Sequence, residues 1–112
     1  MAAQVIVSIQ SLILVPDPYF NEPGYEGTMG TPEGDRTSRA YSENIRKETV
    51  RWAMVECLRT PPTGFEEVVR AHFRLRQASV LQQVTRWCEE ALSMKKEMLL
   101  LQEQLKTLLL AL

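Results

Sequence analysis

Histidine occurs once in the 112 residues, at His72, and cysteine twice, at Cys57 and Cys88. No second ligand stands at helical spacing from His72, and the cysteines lie far apart, so no metal and no other cofactor is expected. A catalytic Cys57–His72 pair would also need a third, orienting group, and none is visible. Two distant thiols without a secretory context read as reduced cysteines of a cytoplasmic protein. Excess basic charge is missing too. Thirteen Lys and Arg against fourteen Asp and Glu leave a net charge of −1, which argues against a nucleic-acid partner. Long apolar runs are absent. Met1–Val15 carries no charge, but Gln4, Ser8, Gln10 and Ser11 interrupt it, it has no basic leader, and it is shorter than the roughly 20 residues of a spanning helix. Neither a membrane span nor a signal peptide is expected.

What is present fits one domain at most, with an ordinary 45% of apolar residues from which to build a core. Val5–Val15 has helical periodicity: Ile6, Ile9 and Ile13 share a face, flanked by Val5 and Leu12. Gln4, Ser8 and Ser11 fall opposite, with Val7 among them. Pro16 should end the helix, because the residue before a proline is pushed out of the helical region. So broad an apolar arc without charge normally belongs to a central helix covered by a sheet. No strand-forming sequence precedes it here.

Asp17–Asp35 is read as loop, from its prolines and glycines. Tyr19, Phe20 and Tyr25 should pin it to a core, while Gly27–Asp35 looks like a mobile surface insertion. A helix is expected over Thr37–Arg59, capped by Asp35, Thr37 or Ser38, with Tyr41, Ile45, Thr49, Trp52 and Ala53 as its apolar stripe. Thr60 before Pro61-Pro62 marks its end. Thr63-Gly64-Phe65-Glu66 has the form of a capping box, opening a helix with a stripe of Phe65, Val68, Val69, His72 and Phe73. His72 belongs to that stripe and reads as an interface residue.

Ser79, with Gln82 three residues on, looks like the cap of a last helix. From there Val80, Val84, Trp87, Ala91, Met94, Met98, Leu101, Leu105, Leu108 and Leu112 alternate by four and three, a heptad seam of more than four repeats. Leu99, Leu100, Leu109 and Leu110 add apolar surface beyond it. The seam fits self-association or a partner helix, through Val84, Trp87, Met94, Met98, Leu101, Leu105 and Leu108, or a tail that folds back on the chain.

The stretch SIQSLIL followed by PDPYFNEPGYE resembles the second helix and following loop of the ubiquitin-conjugating enzymes, above all their large members of the giant IAP-repeat and hybrid conjugating-enzyme and ligase types. The similarity continues through SRAYSENIRKETVRWAM and the PP–F–HF segment to about Trp87. The resemblance implies a mainly α chain: the C-terminal helical half of the α+β ubiquitin-conjugating fold, its sheet missing, followed by a long heptad helix. Residues 1–78 would be the partial core domain with the family's C-terminal helices, and 79–112 a coiled-coil-like helix.

In that family a cysteine carries ubiquitin as a thioester and passes it to a substrate lysine. The resemblance places this cysteine ahead of the helix matching Val5–Val15, so neither Cys57 nor Cys88 takes its role and no catalytic residue is assigned. It does imply an active-site gate at Asn21 and Glu22, where a carboxylate would orient the incoming ammonium. Ordinary turn chemistry is the competing role for both residues. The face that holds donor ubiquitin would be Gln4, Val7 and Ser11. The expected function is thus a fragment of a ubiquitin-conjugating enzyme, with ubiquitin as partner, inactive alone. The alternative is a non-catalytic interaction protein acting through its C-terminal coiled coil.

Overall fold

A computed structural model describes residues 1–112, as helices joined by turns and short irregular stretches with no strand. The chain is mainly α, as expected, and divides into two compact units, Met1–Ser42 and Glu43–Leu112.

The first unit opens with α1, Ala2–Leu12. It begins and ends three residues earlier than the periodicity suggests. Ser8 and Ser11 donate their hydroxyls back to the carbonyls of Gln4 and Val7, at 2.8 and 2.6 Å. No residue of α1 is buried. Ile6, Ile9 and Ile13 are 64, 41 and 59% exposed, so the arc that reads as a core face is open.

Two short 3-10 turns follow, Pro18–Asn21 and Glu26–Thr28. Phe20 is buried, and Tyr19 stacks flat on Tyr25 with 4.7 Å between centroids while its edge meets Phe20 and Tyr41. These aromatics anchor the loop. The last part of the supposed surface insertion, Pro32–Asp35, is instead the start of a helix: α2 spans Pro32–Glu48. Thr31 caps it, its hydroxyl oxygen accepting the Gly34 amide at 3.0 Å, and Pro32 takes the first position, where no amide is needed. Gly34 is buried, and a Cβ there would lie 2.0 Å from the Thr28 carbonyl oxygen. Asp35, Thr37 and Ser38 therefore sit inside the helix rather than capping it. Ser38 is buried and donates to Asp17 Oδ1 at 3.2 Å.

In the second unit α2 runs on into a π-helical stretch, Thr49–Glu56, and a last α-turn, α3, Cys57–Arg59. Val50 and Val55 are both fully buried here. Five residues apart, they would stand about 140° apart on an α-helix, whereas the i→i+5 pattern of a π-helix stacks them. That shift displaces the expected stripe: Trp52 and Ile45 are exposed, and Met54, Cys57 and Leu58 pack on the core instead. The helix does stop at Thr60, ahead of the two prolines.

α4, Glu66–Glu90, starts without a full capping box. The Glu66 carboxylate accepts the Gly64 amide at 2.9 Å, with Gly64 in the left-handed region at φ +89°, and Thr63 makes no cap. Of the expected stripe only Phe73 is buried and Val69 half-buried; Phe65, Val68 and His72 face solvent. Ser79 caps nothing. It lies mid-helix, donating to the Arg76 carbonyl at 3.0 Å, because no proline or glycine between Glu66 and Ser79 halts the preceding helix.

The long heptad helix is two helices. α4 ends at Glu90, Ala91 turns to extended backbone with ψ 140°, and α5 occupies Lys95–Leu110. Folding the seam at Ala91–Met94 lets its two halves bury each other. Val84, Cys88, Ala91, Met98, Leu101, Leu105 and Leu109 form one core with Val50, Val55 and Phe73. Trp87, Met94 and Leu108 are half-buried. Leu109, read as surplus surface, is core, and Leu108 is displaced to the margin. The tail does fold back, onto α4 and Thr49–Glu56 of its own unit.

A carboxylate secures the bend. Glu43 accepts the amides of both Leu92 and Met94, orphan donors at the entry to α5 that have no partner within a helix. Arg46 reaches Glu90 at 2.8 Å and lies over the Trp87 ring, and Lys47 meets Glu97 at 3.4 Å. Gln102, buried in α5, donates to the Thr85 hydroxyl at 2.8 Å.

Candidate functional site

The uncharged helix and the turn that follows it create the site. Where α1 ends, the chain turns back through Pro18–Asn21, so the loop borders one side of the helix. Between them lies an open groove of about 550 Å³. Val5, Ile9, Leu12, Ile13 and Pro18 form its apolar walls, and Gln4, Ser8, Asn21, Glu22 and Tyr41 supply the polar rim.

Three of the five residues singled out from sequence meet here: Gln4, Asn21 and Glu22. Asn21 is held by a specific bond, its Nδ2 donating to the Leu12 carbonyl at 2.8 Å. That carbonyl belongs to the last turn of α1 and has no partner within the helix, so Asn21 ties loop to helix end. The bond gives Asn21 a structural part in the loop. Glu22 is exposed and its carboxylate takes part in none of the chain's ion pairs. Val7 and Ser11 do not line the groove. With Gln4 they form an exposed stripe along α1, at three- and four-residue spacing. Sequence reasoning missed Ser8 and Tyr41 as rim residues. Ser8 was visible in the polar pattern of α1, but Tyr41 is brought in by the tyrosine cluster, for which no local signal exists.

The thiols lie elsewhere. Cys88 is buried in the second unit's core, where loss of hydration pushes its thiol above the ordinary value, against thiolate formation. Cys57 is half-buried at the start of α3. In the same unit, partial burial works to raise the Glu48 carboxyl, but hydrogen bonds from Trp52 and Lys47 and the Arg51 charge outweigh it and hold the group below its ordinary value.

Over 84 residues, three-quarters of the chain, the sequence is 54% identical to the dual E2 ubiquitin-conjugating enzyme/E3 ubiquitin-protein ligase BIRC6 of Homo sapiens, and equally to that of Mus musculus. Over 86 residues, 77% of the chain, it is 45% identical to probable ubiquitin-conjugating enzyme protein 17 of Caenorhabditis elegans. The chain belongs to the ubiquitin-conjugating enzyme family. It corresponds to a C-terminal segment of that family's domain, as PDPYFNEPGYE and the helices after it imply. The chain spans 2% of the length of the two mammalian relatives and 12% of the nematode one. No family profile matches it. No helix is long and apolar enough to cross a membrane.

Proposed function

We propose that these residues form the lysine-facing wall of a ubiquitin-transfer site whose thioester cysteine is not among the 112. The observation that carries this reading is the meeting of Gln4, Asn21 and Glu22 around one groove, in a chain 54% identical over 84 residues to a ubiquitin-conjugating enzyme. Glu22 has no counter-charge within the chain and is free to take up an ammonium. A carboxylate alone raises a lysine's pKa and so opposes its activation; the apolar walls beside Glu22 work in the other direction by stripping water from the cation. Asn21 sets the position of Glu22 through its bond to Leu12. The exposed stripe Gln4–Val7–Ser11 is the surface we assign to donor ubiquitin, with Val7 as its apolar contact. Residues 1–78 carry this role, and the cytoplasm is its place.

The expected result follows from the cysteines. Incubated with ubiquitin-activating enzyme, ATP and ubiquitin, the 112-residue chain forms no adduct that a reducing agent removes. A reducible adduct lost in Cys57→Ser or Cys88→Ser would overturn the assignment.

A second reading, a non-catalytic interaction protein, is favoured by one observation. Leu92, Leu100 and Leu110 are mostly exposed in the second unit, and a large exposed apolar surface marks an interface or an aggregation liability. Since the seam is consumed within the hairpin, association would use this outer surface. Sedimentation equilibrium of the parent chain and of Leu100→Gln/Leu110→Gln separates the cases: a dimer that the double substitution dissociates supports the second reading, and a monomer throughout removes it.

A further inference from the structure

We propose that Ser79 is a phosphorylation site for an arginine-directed protein kinase. Three hydroxyls in the chain have an arginine three residues before them: Ser42 after Arg39, Thr49 after Arg46, and Ser79 after Arg76. Only Ser79 has a second arginine five residues before it, Arg74, in the run Arg74-Leu75-Arg76-Gln77-Ala78-Ser79-Val80. The structure separates the three further. The Ser42 hydroxyl is buried without a partner, and Thr49 is half-buried in the π-helical stretch, donating to the Ile45 carbonyl. Ser79 is exposed, and its only bond is the 3.0 Å back-bond to Arg76.

The arginines are equally available. Arg74 and Arg76 are exposed, and neither enters any of the chain's ion pairs, whereas Arg46, Arg51, Arg59 and Arg70 all do. Two unpaired guanidinium groups at these offsets suit an acidic substrate cleft, which reads fixed cations by charge-assisted bonds. A kinase needs its substrate extended, so α4 must open locally. Between Arg74 and Ser79 only Gln77 is even half-buried, and the segment sits between the anchors Phe73 and Val80. Segments with few buried contacts open at the low end of the stability range.

In the reaction Ser79 Oγ attacks the γ-phosphorus of ATP, and a new Oγ–P bond forms as the bond from γ-phosphorus to the bridging oxygen breaks. ADP leaves, and the hydroxyl proton passes to the kinase's own base. The product places a charge of about −2 one helical turn from Arg76, within reach of that unpaired guanidinium.

The test uses the full 112-residue chain, an arginine-directed kinase and radiolabelled ATP, with a peptide of residues 70–84 as the control for kinase activity. The expected result is one phosphate per chain, absent in Ser79→Ala and slowed at least tenfold in Arg74→Ala/Arg76→Ala, which keeps the acceptor. Label retained in Ser79→Ala, label on Ser42 or Thr49, or an unchanged rate without the two arginines would overturn the proposal. So would a labelled peptide beside an unlabelled chain, since the folded helix would then shield the site.

Discussion

Leu105→Asp abolishes the helical fold of residues 43–112. Leu105 is completely buried where α5 meets α4, among Val84, Leu101 and Leu109. Truncation to alanine there costs about 2–5 kcal/mol, the usual range for a buried leucine. Aspartate adds a carboxylate with no cation in the core to pair it, a further penalty of several kcal/mol. Domains hold only about 5–15 kcal/mol in total, and this unit is small, so the sum exceeds what it has. Far-UV circular dichroism should lose most of its 222 nm signal in Leu105→Asp, and Leu105→Ala should lower the urea midpoint without erasing the transition. Leu110→Asp serves as the control. Leu110 is 81% exposed, and its replacement should stay within about 0.5 kcal/mol of the parent. A seam joining two chains predicts a different outcome: Leu101→Asp with Leu105→Asp would then give a folded monomer, still helical over residues 36–75. A cooperative melt of Leu105→Asp near the parent's would place the core elsewhere.

The seam itself shows what the sequence carries and what it does not. Its apolar spacing is real, and nearly every position takes part in the core. What spacing cannot tell is whether the partner is another chain or the same helix bent back. Nothing local stops the helix at Ala91, since alanine and leucine are strong helix formers. The bend depends on Glu43, about fifty positions away, which satisfies the amides that the break exposes. Tertiary context overrides propensity at that point. The π-helical stretch hid the true stripe in the same way: with Val50 and Val55 five residues apart, a 3.6-residue period selects Trp52 and Ile45, which are exposed.

At the groove the loop resemblance points to Asn21 and Glu22 but assigns Gln4 to another surface, that of donor ubiquitin. The turn after α1 brings all three to one lining, a proximity that no local pattern in the sequence carries. The helix start at Pro32 is masked by its setting, because its cap, Thr31, lies in a run of prolines and glycines that reads as loop. The signal was there: a threonine followed by proline marks a cap and first helical position.

The uncovered face of α1 leads to an effect of opposite sign. Replacing Ile6, Ile9 and Ile13 together by glutamine should raise solubility and leave the fold intact. A buried isoleucine loses about 2–5 kcal/mol on truncation, so three in a core would be ruinous. None of these three is buried, and glutamine is at least as good a helix former as isoleucine. Each isoleucine left in water forgoes roughly 1.5–3 kcal/mol of burial, and the parent chain can recover that only by association. The expected readings are a concentration-dependent rise in light scattering for the parent, its loss in the triple variant, and urea transitions within about 0.5 kcal/mol of each other. Should the triple variant instead lose more than about 2 kcal/mol, some part of the protein covers this face in solution, and the open groove beside Glu22 would have to be redrawn with it.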